Sequence, residues 1–399
     1  MNLFKSSGDT DQSVFDDDEQ KSVHEASASG VVTPVNESET TSDKLINDAS
    51  NFPDGGTKAW LNVIGGGAFS SPCLDGPMSY YQEHQLKDYT AFQISWISSI
   101  QTFILFGGGI VAGKLYDHYG PKVLVYPGVF LHLFGMMMCS ISTEYYQFIL
   151  CVHLARRCST IYCITQHSQH WFHKKRAFTF GILLTGTSIG GVVMPICLEH
   201  LLNSLGFDWV IRICTFINLA LLVIALPTVT SRLPPTPKPV SVMDHIRPLK
   251  EGPFLMLSGG CALFYLGMYL PFNYIIVQAE YEGMSAGLAG YLIPILNGAS
   301  LFGRLIPGKI ADIIGRFNTM IAMCGFAGVI VLALWLPATA NAPIIVFSAL
   351  YGFASGAFIS LIPPLTAQIS DIREIGVRLG TLWLTVGIVA GGQSYRWRS

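Results

Sequence analysis

The chain has 399 residues, half of them hydrophobic and only 13% charged. Soluble domains carry roughly 25% charged residues, and a soluble core this apolar would expose large sticky patches, so a water-soluble enzyme is excluded and an all-α membrane protein is expected. A net charge of −2 argues against a nucleic-acid partner.

Residues 1–50 hold eleven acids against three lysines, a net −8 that leaves the rest of the chain at +6. Rich in Ser, Thr and Asp, this stretch cannot bury enough apolar surface to fold. It also lacks the basic start and apolar core of a signal peptide. Residues 1–52 therefore read as a disordered, acidic cytosolic tail.

A spanning helix needs about 20 mostly apolar residues. Spans one to eight are predicted at 59–82, 89–113, 123–143, 145–168, 177–198, 213–231, 252–279 and 283–303. The stretch 317–370 holds spans nine and ten around a turn at Leu336–Pro343, and span eleven covers 379–395. Asp75 interrupts the first. Arg156 and Arg157 sit at the middle of the fourth, at about 2.5–3.5 kcal/mol each on an insertion scale. A local sequence error, arising in the gene structure, is the preferred reading of that span.

Placing the tail in the cytosol puts thirteen basic residues on inner loops and only Lys87 on an outer one. That bias is what the positive-inside rule expects, and it holds only if the fourth segment spans. The inner loop 231–252 contains Pro234, Pro235, Pro237, Pro239 and Pro248, the composition of a semi-rigid spacer. It divides a six-helix half at 53–230 from a second half at 253–399. Span eleven ends in Arg396, Trp397 and Arg398 where an outer end is due, so the second half is expected to be incomplete.

All nine cysteines lie in apolar stretches, where they behave as small hydrophobes, and neither disulfides nor a metal site is expected. His167, His170 and His173 beside Lys174 and Arg176 suit an interfacial basic segment better than a ligand set. Gly108 to Gly113-Lys114 begins like a phosphate loop, but Leu115 replaces the hydroxyl residue that Mg²⁺ needs. No cofactor and no covalent chemistry are expected.

Two loops repeat one pattern, G-x-x-x-D-x-x-G followed by a base. The first has Gly113, Asp117, Gly120 and Lys122; the second has Gly308, Asp312, Gly315 and Arg316. They occupy equivalent places, after spans two and eight. Glycine allows close helix approach, aspartate can accept from a helix N-terminus, and such contacts suit a gate between two rocking halves.

This repeat resembles the major facilitator superfamily, with its two six-helix halves. Two further stretches are similar to the signatures of the monocarboxylate porter family in the spacing of its fungal members. One is Asp54, Gly55, Gly56 and Trp60 before span one; the other is Phe172, Lys174, Arg176 and Gly181 at the start of span five. The resemblance covers about 52–392, with Thr179 where the second signature usually has Ala. It implies a major-facilitator fold of two six-helix halves, here with about eleven helices and the last missing or incomplete.

An ionisable group within a membrane is a functional candidate by default. The resemblance gives Arg304 a role in substrate and proton coupling; the competing reading has it snorkel to the inner interface. Animal members that move lactate with a proton carry a Lys after the Pro of span one and an acid one turn before the span-eight Arg. Met78 and Ser300 stand there, which disfavours small-monocarboxylate symport. Asp75, Tyr269, Asn273 and Asn297 are the remaining candidates for substrate contact, with span seven broken at Pro271 and span ten at Pro363–Pro364. The expected function is transport of a small organic solute, monocarboxylate-like or larger, with or without a proton, by alternating access. The alternative is a truncated, non-transporting paralogue acting as a sensor. The plasma membrane is preferred over an internal one.

Overall fold

The computed structural model describes residues 52–69, 86–155, 171–229, 243–371 and 374–396. Every described helix belongs to the compact unit Ala49–Ser399, separate from the unit Met1–Asp48. The tail, Asp75, Met78, Arg156, Arg157, His167 and His170 lie outside the described residues, as do the side chains of Lys114 and Asp117.

Among the described residues all regular structure is helical. The first group comprises α1 (Thr57–Phe69), α2 (Ala91–Gly107), α3 (Gly109–Tyr119), α4 (Pro121–Cys139), α5 (Tyr145–Ala155), α6 (Arg176–Leu205) and α7 (Phe207–Ala225). A seven-residue α8 (Met243–Leu249) follows. The second group comprises α9 (Gly252–Tyr281), the single turn α10 (Ala286–Ala289), α11 (Leu292–Ile314), α12 (Arg316–Ile330), α13 (Asn341–Gln368) and α14 (Ile375–Arg396).

Seven stretches are long and apolar enough to cross a membrane, matching predicted spans three and five to ten. Spans two and eleven hold shorter apolar stretches, Phe103–Gly113 and Ile375–Val389. For spans one and four the described helix stops at Phe69 and Ala155.

Local chemistry sets the helix starts. Thr90 and Gln93 form a reciprocal capping box that opens α2. The closing glycine of each loop repeat takes a backbone that side chains resist, Gly120 at φ 79° and Gly315 at φ 104°. Each reverses the chain directly into the next helix, α4 and α12.

Two expectations are corrected. α9 runs unbroken through Pro271, and α13 through Pro363 and Pro364. Proline removes a backbone donor, but within a bundle neighbouring helices and small local adjustments absorb that loss. Leu361, Ile362 and Leu365 are fully buried around the Pro363–Pro364 pair and pack the helix on both sides of it.

Burial ranks the helices. In α13, 67% of the spanning window is buried, against 22% in the stretch built on α12, so α13 is central and α12 peripheral. Met256, Leu263, Ile321, Val329 and Leu332 project outward, an apolar exterior that only lipid can solvate. One core joins α1, α3, α4, α6 and α7 through Val63, Tyr116, Leu124, Phe180, Leu183 and Leu222. Another joins α9, α11, α12 and α13 through Ile275, Leu292, Leu296, Ala327 and Phe347.

Candidate functional site

The two helix groups meet along two seams, α6 against α11 and α14 against α2 and α3. In chain order these are spans five with eight and eleven with two. Exchanging the two groups converts one pair into the other, the relation expected of an internal repeat.

Along the first seam the helices run antiparallel at backbone contact. A Cβ on Gly308 would lie 3.0 Å from the Ala177 carbonyl oxygen, and one on Gly181 would strike the Arg304 carbonyl. Further along, the Ser188 and Ser300 hydroxyls meet at 2.8 Å. Asn297 Nδ2 donates to the Gly191 carbonyl at 3.3 Å. The second seam copies this packing, since a Cβ on Gly380 would reach the Gly109 carbonyl oxygen at 2.5 Å.

Arg304 sits in the middle of the first seam. Its side chain crosses from α11 to α6, where Nη1 donates to the Leu184 carbonyl and to Thr187 Oγ1. It is 7% exposed, and its Nε has no partner. The snorkelling reading does not apply, because the guanidinium is buried between helices rather than extended to an interface. No carboxylate pairs with it among the described residues; the neutral phenol of Tyr265 lies within electrostatic reach. Asn297 and Ser300 line the same seam. Tyr269 lies 6.0 Å from Tyr265, ring to ring, whereas Asn273 is exposed.

The basic-loop end of the seam is closed by a lattice of carboxylates and arginines. α6 begins at Lys175, whose side chain makes no capping bond. Lysine is a poor N-cap, and three consecutive bases crowd the positive pole of the helix dipole. Capping comes from elsewhere in the chain. Asp312 Oδ1 accepts from the Ala177 N–H at 3.1 Å and Oδ2 from the Phe178 N–H at 2.9 Å. Arg316 pairs with Asp312 at 3.3 Å and donates to the His173 carbonyl at 2.7 Å.

Four residues earlier, in the turn that leads into α6, Asp54 Oδ1 accepts from the His173 and Lys174 N–H groups at 2.7 and 2.8 Å. Trp60 meets the buried Phe172 edge-on at 5.4 Å. The two signature stretches, more than a hundred residues apart, thus form one joint. Arg176 completes it: Nε donates to the Phe172 carbonyl at 2.9 Å and Nη1 to the Ala367 carbonyl of α13 at 3.3 Å. Its guanidinium lies 5.4 Å above the Phe52 ring. Burial, with Arg176, Arg316 and Lys174 nearby, pushes the His173 imidazole below its ordinary pKa, against a smaller opposing pull from Asp54.

Sequence reasoning missed the pairing of Asp54 with the start of α6. The signal was present as an absence: no Ser, Thr, Asp or Asn stands at the cap of a helix that opens Lys-Lys-Arg. It also passed over Phe106, Phe358 and Trp383, which surround Tyr265.

A helical bundle with two exchange-related seams, a cation buried within the first and an aspartate bonded across one end of it is the architecture of a membrane transporter. The chain belongs to the Major Facilitator Superfamily, whose profile matches residues 61–392. It is 49% identical over 347 residues to MFS-type transporter 1 of an Ophiocordyceps species, covering 84% of this chain and 76% of that protein. It is 40% identical over 352 residues to the Fujikurins efflux protein of Gibberella fujikuroi, covering 85% and 75%. Among solved structures it resembles the human organic anion transporter TETRAN, with a TM-score of 0.67 at 14% identity over 85% of this chain and 91% of that one. That likeness establishes the fold.

Proposed function

We propose that this transporter exports organic anions larger than the small monocarboxylates, binding them at Arg304 by alternating access. The observation that carries the reading is the buried guanidinium with no carboxylate and an unpartnered Nε. An uncompensated buried charge costs several kcal/mol, and an anionic substrate arriving between the halves supplies the missing partner. Ser300 forms a hydroxyl pair with Ser188 where lactate carriers have an acid, so the Arg304 charge is left for the substrate.

Curated relatives named as efflux proteins, for fujikurins and aspyridones at 40% identity each, support outward movement of organic metabolites. The joint between the Asp54 and Arg176 stretches supports placing the chain with the monocarboxylate porters. The halves 53–230 and 253–399 rock about the linker 231–252, with the acidic tail and the latch on the cytosolic side of the plasma membrane. With Asp312 seated, the cytosolic end is shut. By the repeat in the sequence alone, Asp117 is given an equivalent gating role in the first half.

Inside-out vesicles presented with organic acids in the outside medium test the reading. Arg304→Gln is expected to abolish acid uptake in protein that still purifies as a monodisperse species. Uptake by Arg304→Gln equal to wild type refutes the role of Arg304; no uptake by either, with acids and neutral compounds alike, refutes the transporter reading.

A further inference from the structure

Beside Arg304 lies an aromatic cluster contributed by both helix groups. Phe106 of α2 and Trp383 of α14 stack across the second seam, centroids 5.3 Å apart and planes within 22°. Tyr265 of α9 stands nearly upright to both, 5.6 Å and 68° from Phe106, and 6.0 Å and 74° from Trp383. Phe358 of α13 meets the other side of Tyr265 at 5.4 Å and 66°. The arrangement is a pair of parallel faces with an upright ring beside them, and that upright ring is the neighbour of the Arg304 guanidinium.

Apolar packing alone does not require this geometry, since branched aliphatic side chains fill buried volume equally well. Rings are distinguished by their quadrupole, which favours stacking on a face and edge contact from an upright neighbour. Phe106 belongs to the first helix group and Trp383 to the second, so parting of α2 from α14 uncovers the Trp383 face. A flat ring taking the place of Phe106 regains the stack and the Tyr265 edge contact. An acidic group on the edge of that ring facing Tyr265 is carried to the side of the slot where Tyr265 and the Arg304 guanidinium lie within electrostatic reach of each other.

Building on the organic-anion reading, we infer that the preferred substrate is a flat, conjugated organic acid, with Trp383, Phe106 and Tyr265 as the residues that select for flatness. The ring slot sets specificity, and Arg304 supplies the charge.

The test compares a naphthalene carboxylic acid with its fully saturated decalin counterpart, equal in charge and close in size. Uptake into vesicles and thermal stabilisation of the purified protein are measured for wild type, Trp383→Leu, Trp383→Phe and Phe106→Leu. Wild type is expected to favour the flat acid by about tenfold in KM, the scale of one good aromatic contact. Trp383→Leu and Phe106→Leu each collapse that ratio toward one, and Trp383→Phe restores much of it. Equal preference for the two acids in wild type overturns the inference, as does a ratio unchanged in both leucine variants. Preference for a neutral flat ring over both acids retains the slot and refutes the anion reading instead. If neither acid is carried and neither shifts the melting temperature, the inference fails.

Discussion

Replacing Asp312 by Asn perturbs the latch with almost no change of shape. The carboxylate accepts two backbone N–H groups of α6, at 3.1 and 2.9 Å, and pairs with Arg316 at 3.3 Å. Asparagine keeps one acceptor oxygen; its amide nitrogen must face a donor, either the Phe178 N–H or the Arg316 guanidinium. One charge-assisted bond is lost at about 1.5–3 kcal/mol, and the favourable charge at the helix N-terminus adds about 0.3–1 kcal/mol. This end of the seam is thereby weakened by about 2–4 kcal/mol, which, if it gates as proposed, moves the closed-to-open ratio by about 30- to 700-fold. Spin labels at Lys175 and Asn318, both exposed, would report this as a distance distribution, with the nine cysteines of the chain replaced. The expected outcome is growth of a longer-distance population in Asp312→Asn and its partial reversal in Asp312→Glu. An unchanged distribution in monodisperse protein would refute the latch.

The seam makes its own demand. Gly308→Val and Gly181→Val push a side chain into carbonyls of the facing helix, at an overpacking cost of about 1–3 kcal/mol each, and should lower the melting temperature in detergent. Gly259→Val, where nothing lies within 4 Å, serves as the control; equal melting of all three variants would sink the close-approach argument. Asp54→Ala removes the charged acceptor of two backbone N–H groups, at about 1.5–3 kcal/mol per bond, and should speed amide exchange at His173 and Lys174, whereas unaltered exchange there denies Asp54 that role. The side-chain hydrogen bonds from Arg378 to Glu251, at 2.7 and 2.8 Å, hold the Glu251 carboxyl below its ordinary 4.5. A depressed acid contributes stability above its unfolded value and loses it as the pH falls through the folded one. Glu251→Gln should therefore flatten the acid side of the stability profile, below about pH 4.5, and a profile superimposable on wild type contradicts the pairing.

Much of the architecture was legible because bilayer physics writes it in composition. Charge-free stretches located seven spanning helices, and the repeat of Gly120 and Gly315 located two turns whose backbone admits only glycine. What escaped was long-range partnership. Nothing local in Asp54 says that it fastens the turn leading into a helix that begins at Arg176, because such a bond is set by backbone geometry and not by sequence distance. Pro271, Pro363 and Pro364 were misread for a related reason. A proline breaks a helix in water, where the freed carbonyl has solvent to turn to; in a buried helix such as α13 the neighbours hold the backbone in place. Arg304 was found by its charge, but whether it snorkelled or crossed the seam depended on how closely α6 approaches α11. The glycines at 181 and 308 decide that, and their facing residues cannot be read without the fold.

On the proposed function, the position of Arg304 ties substrate recognition to the latch. Its donors reach the Leu184 carbonyl and Thr187 of α6, so the guanidinium holds together the same helix pair that Asp312 closes eight residues further along α11, about 12 Å away on a helical rise. An anion that draws the guanidinium off α6 removes two cross-seam bonds while leaving the Asp312 caps intact. Affinity for substrate and closure of the cytosolic end therefore draw on one interface. Linkage then requires that whatever opens the latch also change substrate affinity by the same factor. A single pair of glycine-lined helices is enough to couple the two, and no titratable relay between site and gate is needed for it.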